Sequence, residues 1–152
     1  MKVIFLDFDG VITTEKSKWK LDLDKMKLVK EICDKTGSKI VISSSWRTNN
    51  LESTIKYITD TSNYFVGEHP FLMPELVVGI TGRMFYQNYS FPRGVEVMCY
   101  QYDHPEIDNY VILDDDNDFL ISQKDNYIRT DAYNGINEED VKKAIEILNR
   151  YD

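Results

Sequence analysis

Two carboxylates, Asp7 and Asp9, close the apolar run "KVIFLDFDG", and Gly10 follows them directly. In an extended backbone, residues i and i+2 project to the same side, and a glycine lets the chain turn sharply just beyond them. Such a pair can divide labour, one carboxylate attacking an electrophile while the other gives and takes a proton. Two more polar clusters also sit where apolar runs stop: "SSSWR" (residues 43–47) after "KIVI", and "DDDND" (114–118) after "YVIL". Acids delivered from separate strands to one edge repel each other unless a cation lies among them, and an all-oxygen ligand set suits Mg²⁺. A carboxylate that attacks a phosphate ester is also repelled by the phosphate oxygens. A metal and a guanidinium such as Arg93 offset that repulsion, and the small hydroxyls and amides of "SSSWR" can hold the remaining oxygens.

The elements that must position these residues alternate along the chain. "KVIFLD" leads to the stripe Leu23, Met26, Val29, Ile32 and Cys33, with Gly37 just past its end, which predicts a strand and then a helix. "SKIVIS" and then Leu51, Ile55 and Ile58 behind candidate asparagine caps predict a second pair. "ELVVGITG" reads as a third strand inside an otherwise irregular stretch. After "FPRG", Val95, Met98, Cys99 and Tyr102 predict the inward face of a helix. "NYVILD", "NYIRT" and the Asn137-capped "NEEDVKKAIEILNR" complete the pattern, with Val141, Ala144, Ile145 and Leu148 inward. Five apolar strands separated by helices predict a doubly wound parallel α/β sheet in one domain over residues 1–152. Ligands of such sheets bind at the carboxyl ends of the strands, which is where the acids and serines lie.

Composition narrows the partners. With 152 residues, 42% of them hydrophobic, the chain can fill one core, and it has neither a membrane-length apolar run nor a secretory leader, so a cytoplasmic protein is expected. The net charge of −8 disfavours general binding of polyanions, but not a site shaped for one phosphate. Cys33 and Cys99 both fall on apolar helical positions and read as reduced core residues. "DDDND" also matches alternate ligands of a calcium loop. Phe119 stands where that loop needs glycine, however, and Asp125 where it prefers glutamate.

Taken together and in order, "DFDG", "ISSSWR", "PRG" and Asp114 to Asp118 resemble the four motifs of the haloacid dehalogenase-like (HAD) phosphohydrolases. More narrowly, "SSSWR", "YVILDDDND" and "RTDAYNGINEEDVKKAI" look like the small HAD domains of Swiss Army Knife RNA repair proteins. That resemblance implies a HAD-like Rossmannoid fold and a phosphatase in which Asp7 becomes an aspartyl-phosphate and Asp9 serves as general acid and then base. It also implies that Asp7, the Asp9 carbonyl and Asp114 hold Mg²⁺, with Asp118 orienting the metal shell. Asp115 replaces Asp114 as ligand if the strand runs one residue further. Ser44 is favoured over Ser43 as the phosphate hydroxyl, and Arg47 and Arg93 are the cations for substrate. Too few residues separate Gly10 from the first helix for a large cap domain there, so the site is open unless residues 61–91 cover it.

Two stretches bear on the substrate. "KSKWK" carries Lys16, Lys18, Trp19 and Lys20, and "RMFYQNYSFPR" carries Phe85, Tyr86, Tyr89 and Phe91 between Arg83 and Arg93. Cations interleaved with aromatics suit the end of a single-stranded nucleic acid, and the resemblance to RNA repair domains implies a terminal phosphate of an oligonucleotide, at the 3′ end, as substrate. A sugar or nucleotide phosphatase, or a non-catalytic phosphate-binding domain, is the alternative.

Overall fold

A computed structural model describes residues 1–63 and 68–152. The parallel sheet expected from the sequence is present, in the order β3-β2-β1-β6-β7, from β1 (Lys2–Leu6), β2 (Lys39–Ile42), β3 (Val77–Ile80), β6 (Asn109–Asp114) and β7 (Tyr127–Arg129). The chain builds outward from β1 through β2 to β3, then returns to lay β6 and β7 on the other side of β1. The strand order therefore reverses at the β1/β6 pair, where the two connections diverge and leave a crevice.

The strands are buried on both faces, and their alternation assigns each residue to one. Ile4, Leu6, Ile40, Ile42, Val111 and Leu113 pack against helices α1 (Leu23–Thr36) and α4 (Glu138–Leu148), with Ile58 of α2 (Leu51–Thr59) joining them. Val3, Phe5, Val41 and Ile112 face Val97 and the half-buried Tyr100 of α3 (Arg93–Asp103). The helices begin and end where the sequence signals them. Asp22, Asn50 and Asn137 cap α1, α2 and α4 through their side chains, and Gly37 closes α1 in the left-handed region at φ 70°. Among the described residues, no helix is long and apolar enough to cross a membrane.

Helix α3 departs from expectation. Gly94, Glu96 and Val97 are its buried residues, whereas Met98 and Tyr102 are 48% and 87% exposed and Cys99 is only half-buried. Of the expected stripe, Met98 and Tyr102 are thus turned to the surface while Val95 and Cys99 are half-buried, and of the two cysteines only Cys33 lies in the core. The physical reason lies in the first turn. Asp118 accepts the Arg93 amide on its carboxylate and the Gly94 amide on its carbonyl, which fixes the rotation of the helix before apolar preference can set it.

The sequence reading also missed a short antiparallel hairpin between β3 and α3, formed by β4 (Phe85–Tyr86) and β5 (Tyr89–Ser90). Its strands are two residues each and its side chains are exposed, so no alternation of buried and exposed positions marks it. Among the described residues there is no large cap domain. Cover of the site by residues 61–91 is a question that falls partly on residues 64–67, which lie outside the described residues.

Gly94 is where the 114–120 loop comes closest to α3. A Cβ there would lie 2.6 Å from Gln123 Oε1 and 2.9 Å from both Leu120 N and Phe119 Cα. Because two of these atoms are backbone, Gly94→Ala is expected to destabilise the fold by about 1–3 kcal/mol, as overpacking does. Chemical denaturation measures this, and an unchanged midpoint would contradict the close approach.

Candidate active site

The parallel ladders continue one residue beyond the strands. Asp7 N–H donates to Leu113 O at 3.0 Å and Ser43 N–H donates to Leu6 O at 3.0 Å; Leu6 itself pairs with Ile42 and Leu113. Register therefore sets Ser43, Asp7 and Asp114 side by side across β2, β1 and β6, in the first row past the apolar core. All three are buried. Gly10 then turns the chain at φ 83°, and a Cβ there would lie 2.3 Å from Asp115 Cγ, so the turn after Asp9 closes over the Asp115 side chain.

Asp7, Asp114 and Asp115 each present an oxygen to a common point, all within 4.8 Å of one another. Strand β6 ends at Asp114, yet Asp115 also reaches the cluster, so the two are joint members rather than alternatives. Burial, followed by the Asp114 charge, pushes the Asp7 carboxyl up to about 8, and burial pushes Asp114 up to about 6. Arg93 opposes both shifts, its Nη1 lying 3.5 Å from Asp7 Oδ1 and 3.6 Å from Asp114 Oδ2. The same nitrogen donates to the Ser43 carbonyl. Burial is also the main cause that raises Asp115.

Several polar atoms here are buried without a hydrogen-bond partner: Asp114 Oδ2, Asp118 Oδ1 and Ser43 Oγ. The first two belong to carboxylates whose other oxygens are engaged, since Asp114 Oδ1 accepts from Asp116 N at 2.9 Å and Asp118 Oδ2 from Arg93 N at 2.8 Å. Ser44, which the sequence favours, instead accepts the Trp46 amide at 3.1 Å and caps the turn. The free hydroxyl is that of Ser43, the residue in register with Asp7.

Arg47 lies behind this row, not in it. Only 7% exposed, its guanidinium is committed to the Ser44, Thr81 and Gly82 carbonyls, the Thr81 hydroxyl and Glu96, which makes it a brace for the loop rather than an open substrate contact.

Three residues that build the site went unread in the sequence. Asp9 Oδ1 accepts from Thr13 Oγ1 at 2.7 Å and from Trp46 Nε1 at 3.0 Å. Buried Glu96 approaches Arg47 Nη2 (3.4 Å) and Arg93 Nε (3.8 Å) through Oε1, and its Oε2 accepts the Met84 amide at the root of the hairpin. Glu96 carried a signal, as an acid three residues after Arg93 shares a helix face with it. Thr13 and Trp46 carried none, because their contacts depend on how the loops fold back.

A family model for the HAD domain in Swiss Army Knife RNA repair proteins matches residues 3–141. The chain belongs to this family. The match agrees with the resemblance carried by "DFDG", "SSSWR" and "DDDND" and with the α/β sheet observed. No curated protein and no solved structure matches the chain. Membership points to phosphohydrolase-type chemistry, for which HAD domains generally use a divalent metal, and the all-oxygen donor set with its orphaned carboxylate atoms fits such an ion.

The raised carboxyls carry a consequence for stability. The folded protein binds these protons more tightly than the unfolded chain, so proton uptake favours folding. Stability therefore falls as pH rises from about 4, where unfolded carboxylates titrate, to about 8 for Asp7. A divalent cation among these carboxylates would relieve the repulsion that adds to burial, so the rise in Tm with Mg²⁺ should be larger at pH 8 than at pH 5. Asp114→Ala should remove most of that rise. A gain that is independent of pH, or that survives in Asp114→Ala, would place the ion elsewhere.

Proposed function

We propose that the protein is a Mg²⁺-dependent phosphohydrolase that cleaves phosphate monoesters through a phosphorylated Asp7. The observation carrying this reading is the set of buried polar atoms without a hydrogen-bond partner near Asp7, one carboxylate oxygen each on Asp114 and Asp118 and the Ser43 hydroxyl, with the Arg93 guanidinium 3.5 Å from Asp7 and 3.6 Å from Asp114. Buried polar atoms are nearly always paired, so those left over together outline what the site receives. A cation fits the carboxylate oxygens, and a phosphate fits the hydroxyl and the guanidinium.

In this reading Asp7, the Asp9 carbonyl, Asp114 and Asp115 hold the metal, and Asp118 orients its shell. The ion, when bound, offsets phosphate charge as the nucleophile approaches. Asp7 attacks phosphorus and the ester P–O bond breaks. The departing oxygen keeps the electron pair and takes the proton of Asp9. Asp9 then draws a proton from the water that attacks the aspartyl-phosphate, which releases phosphate and restores Asp7. Ser43 and Arg93 bind the non-reacting oxygens throughout. Asp7→Asn keeps the shape but cannot attack, so activity on an aryl phosphate should fall at least about a thousandfold, in the range seen when a covalent nucleophile is lost. Circular dichroism checks the fold. Retention of about a tenth of the activity, far more than such a loss leaves, would exclude Asp7 as nucleophile.

The end of a polynucleotide is the substrate class we propose. A cleft of about 350 Å³ runs from Arg93 and Asp118 to Phe85, Ser90 and Phe91 of the hairpin segment. Phe85, Tyr86 and Tyr89 are 61%, 68% and 76% exposed, far beyond what packing needs. Exposed aromatics beside a phosphate site suit base stacking, and the family is named for RNA repair proteins. The charge of −8 confines such binding to a short terminal segment. A 3′-phosphorylated oligonucleotide should exceed a sugar phosphate in kcat/KM by at least about tenfold, the worth of one modest stacking contact, and the advantage should shrink as salt rises. Equal values would support a small-molecule phosphatase instead.

A further inference from the structure

Asp9 is held by one oxygen. Its Oδ1 accepts the Thr13 hydroxyl at 2.7 Å and the Trp46 indole N–H at 3.0 Å. An indole nitrogen can only donate, so this contact has a fixed polarity. The indole is itself fixed, tilted against Phe8 at a centroid distance of 5.4 Å and edge-on to Tyr57 at 6.1 Å, and Thr13 is fully buried. With both groups donating, the lone pairs of Oδ1 are occupied, and a proton there would force the Thr13 hydroxyl to turn to its longer contact with Phe8 O at 3.4 Å. This arrangement favours Oδ2 for a proton carried by Asp9.

We infer that Trp46 is a positioning residue which, together with Thr13, keeps the Asp9 proton on Oδ2 and thereby determines how well poor leaving groups are expelled. The inference rests on Asp9 being the proton donor. As the Asp7–phosphorus bond forms and the ester bond breaks, the electron pair moves to the leaving oxygen, which takes the proton from Asp9 Oδ2. An aryl oxygen departs as a stable phenolate and needs that proton little. An alkyl oxygen, including any ribose hydroxyl, needs it fully. Loss of the indole N–H lets the carboxyl rotate and places the proton on either oxygen, a fault felt mainly by alkyl esters.

The test is the ratio of kcat/KM for p-nitrophenyl phosphate to that for an alkyl phosphomonoester such as glycerol 2-phosphate. This quantity covers steps only through departure of the first alcohol, so the later role of Asp9 with water does not enter. Trp46→Phe retains an aromatic ring and removes the donor; the ratio should rise at least about tenfold, a fraction of what a general acid contributes. If Trp46→Phe fails to fold by circular dichroism, benzothienylalanine at position 46 replaces the N–H by sulfur within the same ring outline and carries the same expectation. Asp9→Asn should raise the ratio further still. A ratio unchanged in the Trp46 variants while Asp9→Asn raises it would make Trp46 a packing residue and overturn the inference. A ratio unchanged in Asp9→Asn as well would overturn the assignment of Asp9 on which it rests.

Discussion

Three carboxylates with ligand oxygens within 4.8 Å of one another, two of them buried, are the feature the rest of this structure is arranged around. Like charges at that spacing in a poorly hydrated place are held only by compensation, and the chain provides part of it itself. Arg93 reaches between Asp7 and Asp114, and its own position is fixed from three sides: the Asp118 carboxylate on its amide, the Ser43 carbonyl on Nη1 and Glu96 near Nε. Burial first, and then the repulsion that remains, push the Asp7 and Asp114 carboxyls above the ordinary carboxylate range. A divalent cation bound among these carboxylates would offset the repulsion that Arg93 leaves.

The sheet supplies the geometry that makes such crowding possible. Parallel register at the switch point puts the residues following Ile42, Leu6 and Leu113 in a single row, and hydrophobic burial below that row holds the register. A slip of one residue in β6 would carry Asp114 to the opposite face and exchange the faces on which Val111, Ile112 and Leu113 pack. Glu96 extends the arrangement outward. By engaging Arg47, Arg93 and the Met84 amide, it ties the aromatic hairpin to the same guanidinium that faces Asp7.

Much of this was legible in the sequence, because what it depends on is local. β-branched runs, side-chain caps and Gly37 fixed the order of strands and helices, and acids at strand ends pointed to the switch point. The parts that were not legible depend on contacts between segments. The apolar stripe of α3 pointed to Met98 and Tyr102, but Asp118 sets the rotation of that helix. Ser43 and Ser44 look alike in "SSSWR", and only the register with Leu6 distinguishes them. Arg47 has the residue type of a phosphate ligand, yet Thr81 and Glu96 engage its guanidinium, and nothing in the spacing shows that Trp46 reaches Asp9 across 37 positions. The hairpin, two residues to a strand and exposed, leaves no periodic trace at all.

The proposed reaction depends above all on Asp7 forming the bond to phosphorus. Quenching the Asp9→Asn protein in acid during turnover of an aryl phosphate with Mg²⁺, followed by peptide mapping by mass spectrometry, tests it most directly, since that variant lacks the base for the second step. The account predicts a hydroxylamine-labile phosphoryl group on the peptide containing Asp7. A phosphoryl group on any other residue, or continued turnover by the Asp7→Asn protein, would contradict it.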